Sequence, residues 1–144
     1  MEGSKTILVP IDFEEASVEA LGQARTLAET LGFEVVLLHV YALPAPFYSG
    51  IAPMSGPGLN EEIRVAAAET LERFALQHGG LRSVLRCGDP TTETLAVIEE
   101  LNPEMVVMGT HGREGLAHLL LGSVAENIVR KSPVPVLTLR ATGS

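Results

Sequence analysis

Short apolar runs and amphipathic segments alternate along this chain. Ile7 to Ile11 is a continuous apolar run, typical of a strand buried on both faces of a parallel sheet. From Glu15 to Leu31, apolar residues recur at three- and four-residue steps, and Gly32 follows, which predicts an amphipathic helix. Val35 to Val40 is apolar and β-branched and predicts a second strand. Together these elements form a strand–helix–strand crossover unit.

The same alternation continues towards the C-terminus. Asp89 is placed to cap a helix, and Pro90 suits the first helical position. The later predicted elements are a helix at Leu59–His78, a strand at Leu81–Cys87, a helix from Pro90 to about Leu101, a strand at Met105–Met108, a helix at Ser123–Lys131 and a strand at Val134–Arg140. Five strands separated by four helices predict one α/β domain over residues 1–144, a doubly wound five-stranded parallel sheet with helices on both faces. Ligands of such sheets bind beyond the carboxyl ends of the strands, where the strand order reverses. We therefore expect the residues after the first and fourth strands to matter most.

The segment from Tyr41 to Gly58 breaks both patterns. It contains four prolines together with glycines and serines, a composition that favours neither helix nor strand. We predict a mobile loop here, and our hypothesis is that it orders over a bound ligand.

Composition and charge narrow the functional classes. The 144 residues are 46% hydrophobic and 19% charged, which fits a single domain with a substantial core. A net charge of −8 and scattered basic residues argue against a general nucleic-acid-binding protein, which needs clustered Lys and Arg. The apolar runs are too short to span a bilayer, so we expect no membrane partner, and no secretory signal opens the chain. A cytoplasmic location is the resulting expectation.

Cys87 is the single cysteine of the chain. It cannot form an intramolecular disulfide, and it ends an apolar run, so the sequence predicts a small core residue with no chemical role.

Glycines mark the segment after the fourth strand. Gly109, Gly112 and Gly122 permit a positive φ and a close approach of ligand to backbone, and Ser123 at the start of a helix leaves free amides aimed at an anion. This pattern indicates phosphate binding. The alternative is that Ser123 and Glu126 form a capping box and the glycines are turns, and the two interpretations are compatible.

The spacing of these glycines excludes two common nucleotide motifs. The chain lacks both the Gly-x4-Gly-Lys-Ser/Thr loop and a Gly-x-Gly-x2-Gly after the first strand, which disfavours P-loop NTPases and dinucleotide dehydrogenases. The segment instead reads Gly-x2-Gly-x9-Gly-Ser, and it resembles the ATP-binding signature of the universal stress protein family. The resemblance extends over nearly the whole chain, through residues 7–13, 37–40, 107–113, 120–126 and 133–137.

The resemblance implies an adenine nucleotide alpha hydrolase-like fold that binds ATP. It implies that Asp12 contacts the ribose hydroxyls, that Pro10 and Ile11 lie beside the base, and that the backbone of Val40 meets the adenine edge. The residues implied along the ribose and triphosphate are Met108, Gly109, His111, Gly112, Arg113, Gly122, Ser123, Val124 and Ala125. The sequence shows no cage for a cation, so Mg²⁺ is expected mainly on the phosphate oxygens.

Some of these residues have simpler interpretations. Asp12 is alternatively a cap or turn acid before the first helix, and Arg113 is either a partner of a terminal phosphate or a solvated surface arginine. The family often has a serine after Asp-Phe, where this chain has Glu14. The extra charge either weakens a nearby nucleotide or, along the helix N-terminus, leaves binding untouched.

The resemblance implies a nucleotide-dependent stress-response or signalling protein. The alternative is a slow ATPase or phosphotransfer enzyme at the same site, for which Asp12 and His111 are the acid–base candidates. A response-regulator receiver is disfavoured, because its acceptor acid and lysine are not convincingly present, and a purely structural partner protein is the third option. The last strand, Val134 to Leu139, is predicted as an apolar edge, and the resemblance implies a homodimer through it.

Overall fold

Parallel strands and helices alternate in the computed structural model, which describes residues 4–44, 57–110 and 122–140. The elements in these ranges are β1 (Thr6–Pro10), α1 (Glu15–Leu31), β2 (Glu34–Tyr41), α2 (Pro57–Gln77), β3 (Arg82–Cys87), α3 (Pro90–Leu101), β4 (Met105–Gly109), α4 (Ser123–Lys131) and β5 (Val136–Leu139). The strand order is β3-β2-β1-β4-β5, and every neighbouring pair is parallel. The predicted five-stranded parallel sheet is confirmed, and β5 lies at its edge as expected.

The two faces of the sheet carry separate cores. Ile7 and Val9 of β1 pack in one cluster with Leu21 of α1 and Leu71 of α2. Leu8, between them in sequence, packs in the other cluster with residues of α3 and α4, namely Val97, Ile98, Ala125 and Ile128. Successive side chains of a strand point to opposite faces, so continuous apolar strands are buried under helices on both sides. The fold is therefore doubly wound. Among the helices described, none is long and apolar enough to cross a membrane.

The strand order reverses between β1 and β4, and the two strands separate early. Pairing of β1 with β4 covers Ile7 and Leu8, whereas pairing with β2 continues through Pro10. Ile11 donates its N–H to Leu38 O of β2 at 2.8 Å. Because successive backbone nitrogens of a strand face alternate neighbours, the Pro10 nitrogen faces β4, and proline has no hydrogen to donate. The pairing of β1 with β4 therefore does not continue through Pro10, and a crevice opens between these two strands.

Most predicted boundaries are confirmed within one or two residues. Helix α1 has the predicted bounds and ends at Gly32, whose φ of 75° is left-handed. Strand β5 is shorter than the predicted Val134–Arg140, because Val134 N donates to Ser132 Oγ at 3.0 Å and so lies outside the sheet. The predicted loop is also shorter, since Tyr41 ends β2 and Gly58 belongs to α2. Residues 45–56, between them, lie outside the described residues.

The predicted core position of Cys87 is wrong, because the residue is exposed. Cys87 ends β3, the edge strand opposite β5, where no further strand of the described residues covers the sheet. It pairs with Tyr41 of β2, and desolvation together with the neighbouring Cys87 raises the pKa of the Tyr41 phenol.

Helix α3 has the predicted N-cap. Asp89 Oδ2 accepts hydrogen bonds from Thr92 N at 2.9 Å and Thr92 Oγ1 at 3.0 Å, and these bonds hold the pKa of Asp89 below its ordinary value. A lowered pKa in the folded state stabilises the protein above the pKa of the unfolded chain, and this contribution is lost as the pH falls through the folded pKa.

We expect Asp89→Ala to lower the melting temperature by about 3 °C at pH 7. The difference from wild type should shrink as the pH falls below about 4, because the wild-type carboxylate is then protonated too. Thermal melts of both proteins between pH 2.5 and 7 measure it, with Glu99→Ala on the exposed face of α3 as the control. A difference that stays constant across this range would contradict the expectation.

Candidate functional site

A cleft of about 220 Å³ lies beyond the carboxyl ends of β1, β2 and β4, where the strand order reverses. Its walls are mainly apolar, and Asp12 is the charged residue among the described residues that line it. The lining residues are Pro10, Ile11, Asp12, Ala16, Ser17, Leu38, His39, Val40, Pro90, Thr94, Met108, Gly109, Thr110, Gly122, Val124 and Ala125. An apolar cavity with a few polar groups at the switch point of a parallel sheet is the usual setting for a small ligand.

The structure brings together most of the site residues predicted from the sequence. Nine line the cleft: Pro10, Ile11, Asp12, Val40, Met108, Gly109, Gly122, Val124 and Ala125. Ser123 begins α4 and is exposed, but it is not among the lining residues. His111, Gly112 and Arg113 lie outside the described residues. The roles implied for all of these residues remain predictions.

Asp12 is held in a tight turn between β1 and α1. Its Oδ1 accepts hydrogen bonds from Glu14 N at 2.9 Å and from Ser17 Oγ at 2.7 Å, and Asp12 N donates to Ser17 Oγ at 3.2 Å. The turn-acid interpretation of Asp12 is therefore correct for Oδ1. The recorded bonds of the carboxylate to described residues all fall on Oδ1, and the residue is exposed at the cleft. The turn thus orients the carboxylate and leaves Oδ2 for a ligand.

Phe13, within this turn, packs against His39 of β2 and Phe74 of α2. Phe13 has a φ of 68°, which costs about 1 kcal/mol for a residue with a side chain. Its ring packs on His39 at a centroid distance of 4.7 Å and on Phe74 at 5.3 Å, which offsets the cost. His39 Nδ1 lies 2.9 Å from Ile11 O, and because a carbonyl oxygen only accepts, Nδ1 carries the proton. The bend that presents Asp12 is consequently rigid.

Helices α1, α3 and α4 all begin at the cleft, and the N-termini of α3 and α4 differ. The first turn of α3 is capped by Asp89. The N-cap of α4 is Gly122, and no side chain caps this helix. The first amides of α4 therefore lack an intrahelical partner and favour an anion. The cleft is thus closed to anions at α3 and open to them at α4.

The capping-box interpretation of Ser123 and Glu126 is wrong. Ser123 is already the first helical residue, one position too late to act as the cap. Glu126 instead pairs with Arg130 one turn further along α4, at 2.9 Å.

Neither of the two glycines of this segment that the structure describes uses the positive φ that glycine permits. Gly122 has a φ of −76°, and Gly109 is not among the residues with positive φ. At Gly109 the constraint is space, because a Cβ there would lie 2.5 Å from the backbone C and O of Ala16. The missing side chain lets the first turn of α1 sit directly on the end of β4, which brings Ala16 and Ser17 to the cleft.

Glu14, the departure from the family pattern, is the N-cap residue of α1. It is exposed and does not line the cleft, and its negative charge interacts favourably with the helix N-terminus.

Sequence reasoning missed Ser17, His39 and Thr94, which line the cleft. Ser17 and Thr94 are only 6% and 2% exposed. Each is a polar residue on the apolar face of a predicted helix, and that mismatch is the signal that could have identified it. His39 gave no such signal. Across the ranges that the structure describes, no group of three His, Cys, Asp or Glu side chains that could hold a metal ion occurs.

Comparisons with known proteins all find similarity to one family. A profile of the universal stress protein family matches residues 3–140. Universal stress protein MJ0531 of Methanocaldococcus jannaschii is 30% identical over 140 residues, covering 94% of this chain and 82% of the relative. The solved structure of MJ0577, from the same organism, is 28% identical with a TM-score of 0.66 and covers 98% of this chain and 99% of that one. A universal stress protein solved in complex with cAMP shares the fold at 24% identity, with a TM-score of 0.62, covering 98% of this chain and 100% of that one.

Proposed function

The chain belongs to the universal stress protein family, and on that premise we propose that its cleft binds an adenine nucleotide, ATP with Mg²⁺. The observation that carries the proposal is the convergence in one cavity of an apolar base pocket, the oriented Asp12 carboxylate and the open N-terminus of α4. These three features match the three parts of a nucleotide. The relative solved with cAMP shares this fold and holds an adenine nucleotide.

The chemistry of the cleft supports one orientation of the nucleotide. The phosphates would meet the free amides of α4, because that helix has no side-chain cap. The ribose hydroxyls would donate to the free oxygen of Asp12. The base would then lie towards β2, where Leu38 and Val40 line the cleft and where the backbone of Val40 would bond a ring edge.

Backbone amides, rather than lysines, would bind the phosphates, which suits a chain with a net charge of −8. Mg²⁺ would be held mainly by phosphate oxygens and water. The biological role we propose is that of a stress-response or signalling protein whose nucleotide state alters its interactions.

We further propose that two copies pair through β5, which gives two nucleotide sites per dimer. This strand forms one edge of the sheet, and Leu137 on it is 37% exposed. An exposed apolar edge strand favours pairing with a second copy.

Calorimetric titration with ATP in the presence of magnesium tests the nucleotide proposal. Wild type should bind, and Asp12→Asn should bind about 10–100-fold more weakly, because a hydrogen bond to a charged group is lost. Glu15→Gln is the matched control, since Glu15 is an exposed acid of the same turn that does not line the cleft. It should bind like wild type.

Two results would contradict the proposal in different ways. If wild type binds no adenine nucleotide, the function is wrong. If Asp12→Asn binds as tightly as wild type, the role of Asp12 at the ribose is wrong.

A further inference from the structure

Thr94 is a buried residue whose hydroxyl makes no recorded hydrogen bond to a described residue. Thr94 is 2% exposed and lines the cleft from α3. Val97 and Ile98, which continue the same helix face, are buried and apolar. Among the described residues, no fully enclosed side-chain nitrogen or oxygen lacks a hydrogen bond, so the unpaired hydroxyl of Thr94 opens into the cleft, where water or a ligand can satisfy it. The Thr94 hydroxyl is therefore available to form a hydrogen bond with a ligand in the cleft.

The position of Thr94 identifies which part of the ligand reaches it. Thr94 lies one turn into α3, whose N-terminus is occupied by the negatively charged Asp89. The N-terminus of α3 is already satisfied by this side-chain cap, whereas the N-terminus of α4 has no side-chain cap and attracts phosphate. A nucleotide with its phosphates at α4 and its ribose at Asp12 directs its base towards α3 and β2. The neighbours of Thr94 at that end are apolar, as the flat faces of a base require.

We infer that Thr94 is a specificity-determining residue whose hydroxyl hydrogen-bonds the edge of the bound purine base. The inference rests on the proposed nucleotide function. A hydroxyl rotates to donate or to accept, so it serves a ring nitrogen or an amino group of the base equally. It would be the side-chain counterpart of the backbone contact proposed for Val40 of β2.

Thr94→Val tests the contact, because valine has nearly the same shape and removes only the hydroxyl. We expect the variant to bind both ATP and AMP about three- to tenfold more weakly, by the same factor for each ligand. The factor is shared because the lost contact is with the base, which the two ligands have in common. Thr94→Ser, which keeps the hydroxyl, should bind like wild type.

A melting curve of the free protein separates ligand contact from structure. Thr94→Val should melt at the wild-type temperature or above it, because the hydroxyl has no protein partner to lose and valine adds an apolar group to the helix face that carries Val97 and Ile98. A fall in melting temperature, unchanged affinity for ATP and AMP, or a loss for ATP that AMP does not share would each overturn the inference. Absence of binding by wild type would instead overturn the proposed function, and the contact at Thr94 with it.

Discussion

Replacing Gly109 with alanine is expected to lower the melting temperature by about 10 °C, equivalent to about 3 kcal/mol of stability. The new Cβ would lie 2.5 Å from two backbone atoms of Ala16 and 2.9 Å from its side chain. Backbone cannot rotate away as a flexible side chain does, so α1 has to shift from β4. The shift moves Ser17 and the turn that holds Asp12, and we therefore expect nucleotide affinity to fall as well.

Gly22→Ala is the matched control for this prediction. Gly22 lies in α1 on the exposed face, and a Cβ there meets no atom within 4 Å. Alanine should stabilise the helix by up to about 1 kcal/mol, the opposite sign from the change at Gly109. Thermal melts of both variants measure the contrast. Equal melting temperatures for the two would show that the close approach of α1 to β4 is not a constraint.

Ile128→Ala is expected to destabilise the protein by about 3–4 kcal/mol. Ile128 is fully buried, and together with Ala125 it forms the buried face of α4. This helix has only nine residues, so little else fixes it to the sheet. Because its first turn supplies the proposed phosphate amides, the same substitution should weaken ATP binding at temperatures where the variant is folded.

Val129→Ala provides the comparison on the same helix. Val129 is 45% exposed, and its truncation should change stability by less than about 1 kcal/mol and leave ATP affinity unchanged. Urea unfolding gives both stabilities, and calorimetry gives both affinities. If Ile128→Ala loses stability while its ATP affinity stays at the wild-type value, α4 does not position the ligand through this contact.

Local chemistry explains why the elements were predictable from the sequence. The 3.6-residue periodicity of α1, the left-handed Gly32 at its end and the capping by Asp89 are all determined by residues within a few positions of one another. The errors came where the answer depends on distant residues. The exposure of Cys87 follows from the place of β3 at the sheet edge. The requirement for glycine at residue 109 follows from the approach of Ala16, 93 positions earlier in the chain.

The sequence predicted the part of the site that lies at strand ends and missed the polar side chains that reach the cleft from helix faces. Residues at strand ends, such as Asp12 and Met108, were implied by the family resemblance, and they meet at the cleft because the ends of parallel strands converge at one edge. Ser17 and Thr94 reach the cleft from helix faces that also pack on the sheet, so apolar periodicity concealed them. His39 was missed because its partners, Ile11 O and the Phe13 ring, meet it only in the folded chain.

Pro10 has no amide hydrogen, so the cleft arises from the main chain and not from the side chains that would contact a ligand. An imino acid opens the gap between two strands through the main chain, whatever side chains surround it. Substitutions at wall positions such as Thr94 would then alter the surface that meets a ligand without closing the gap between β1 and β4. The main chain thus determines where the cleft lies, and the side chains on its walls determine its chemistry.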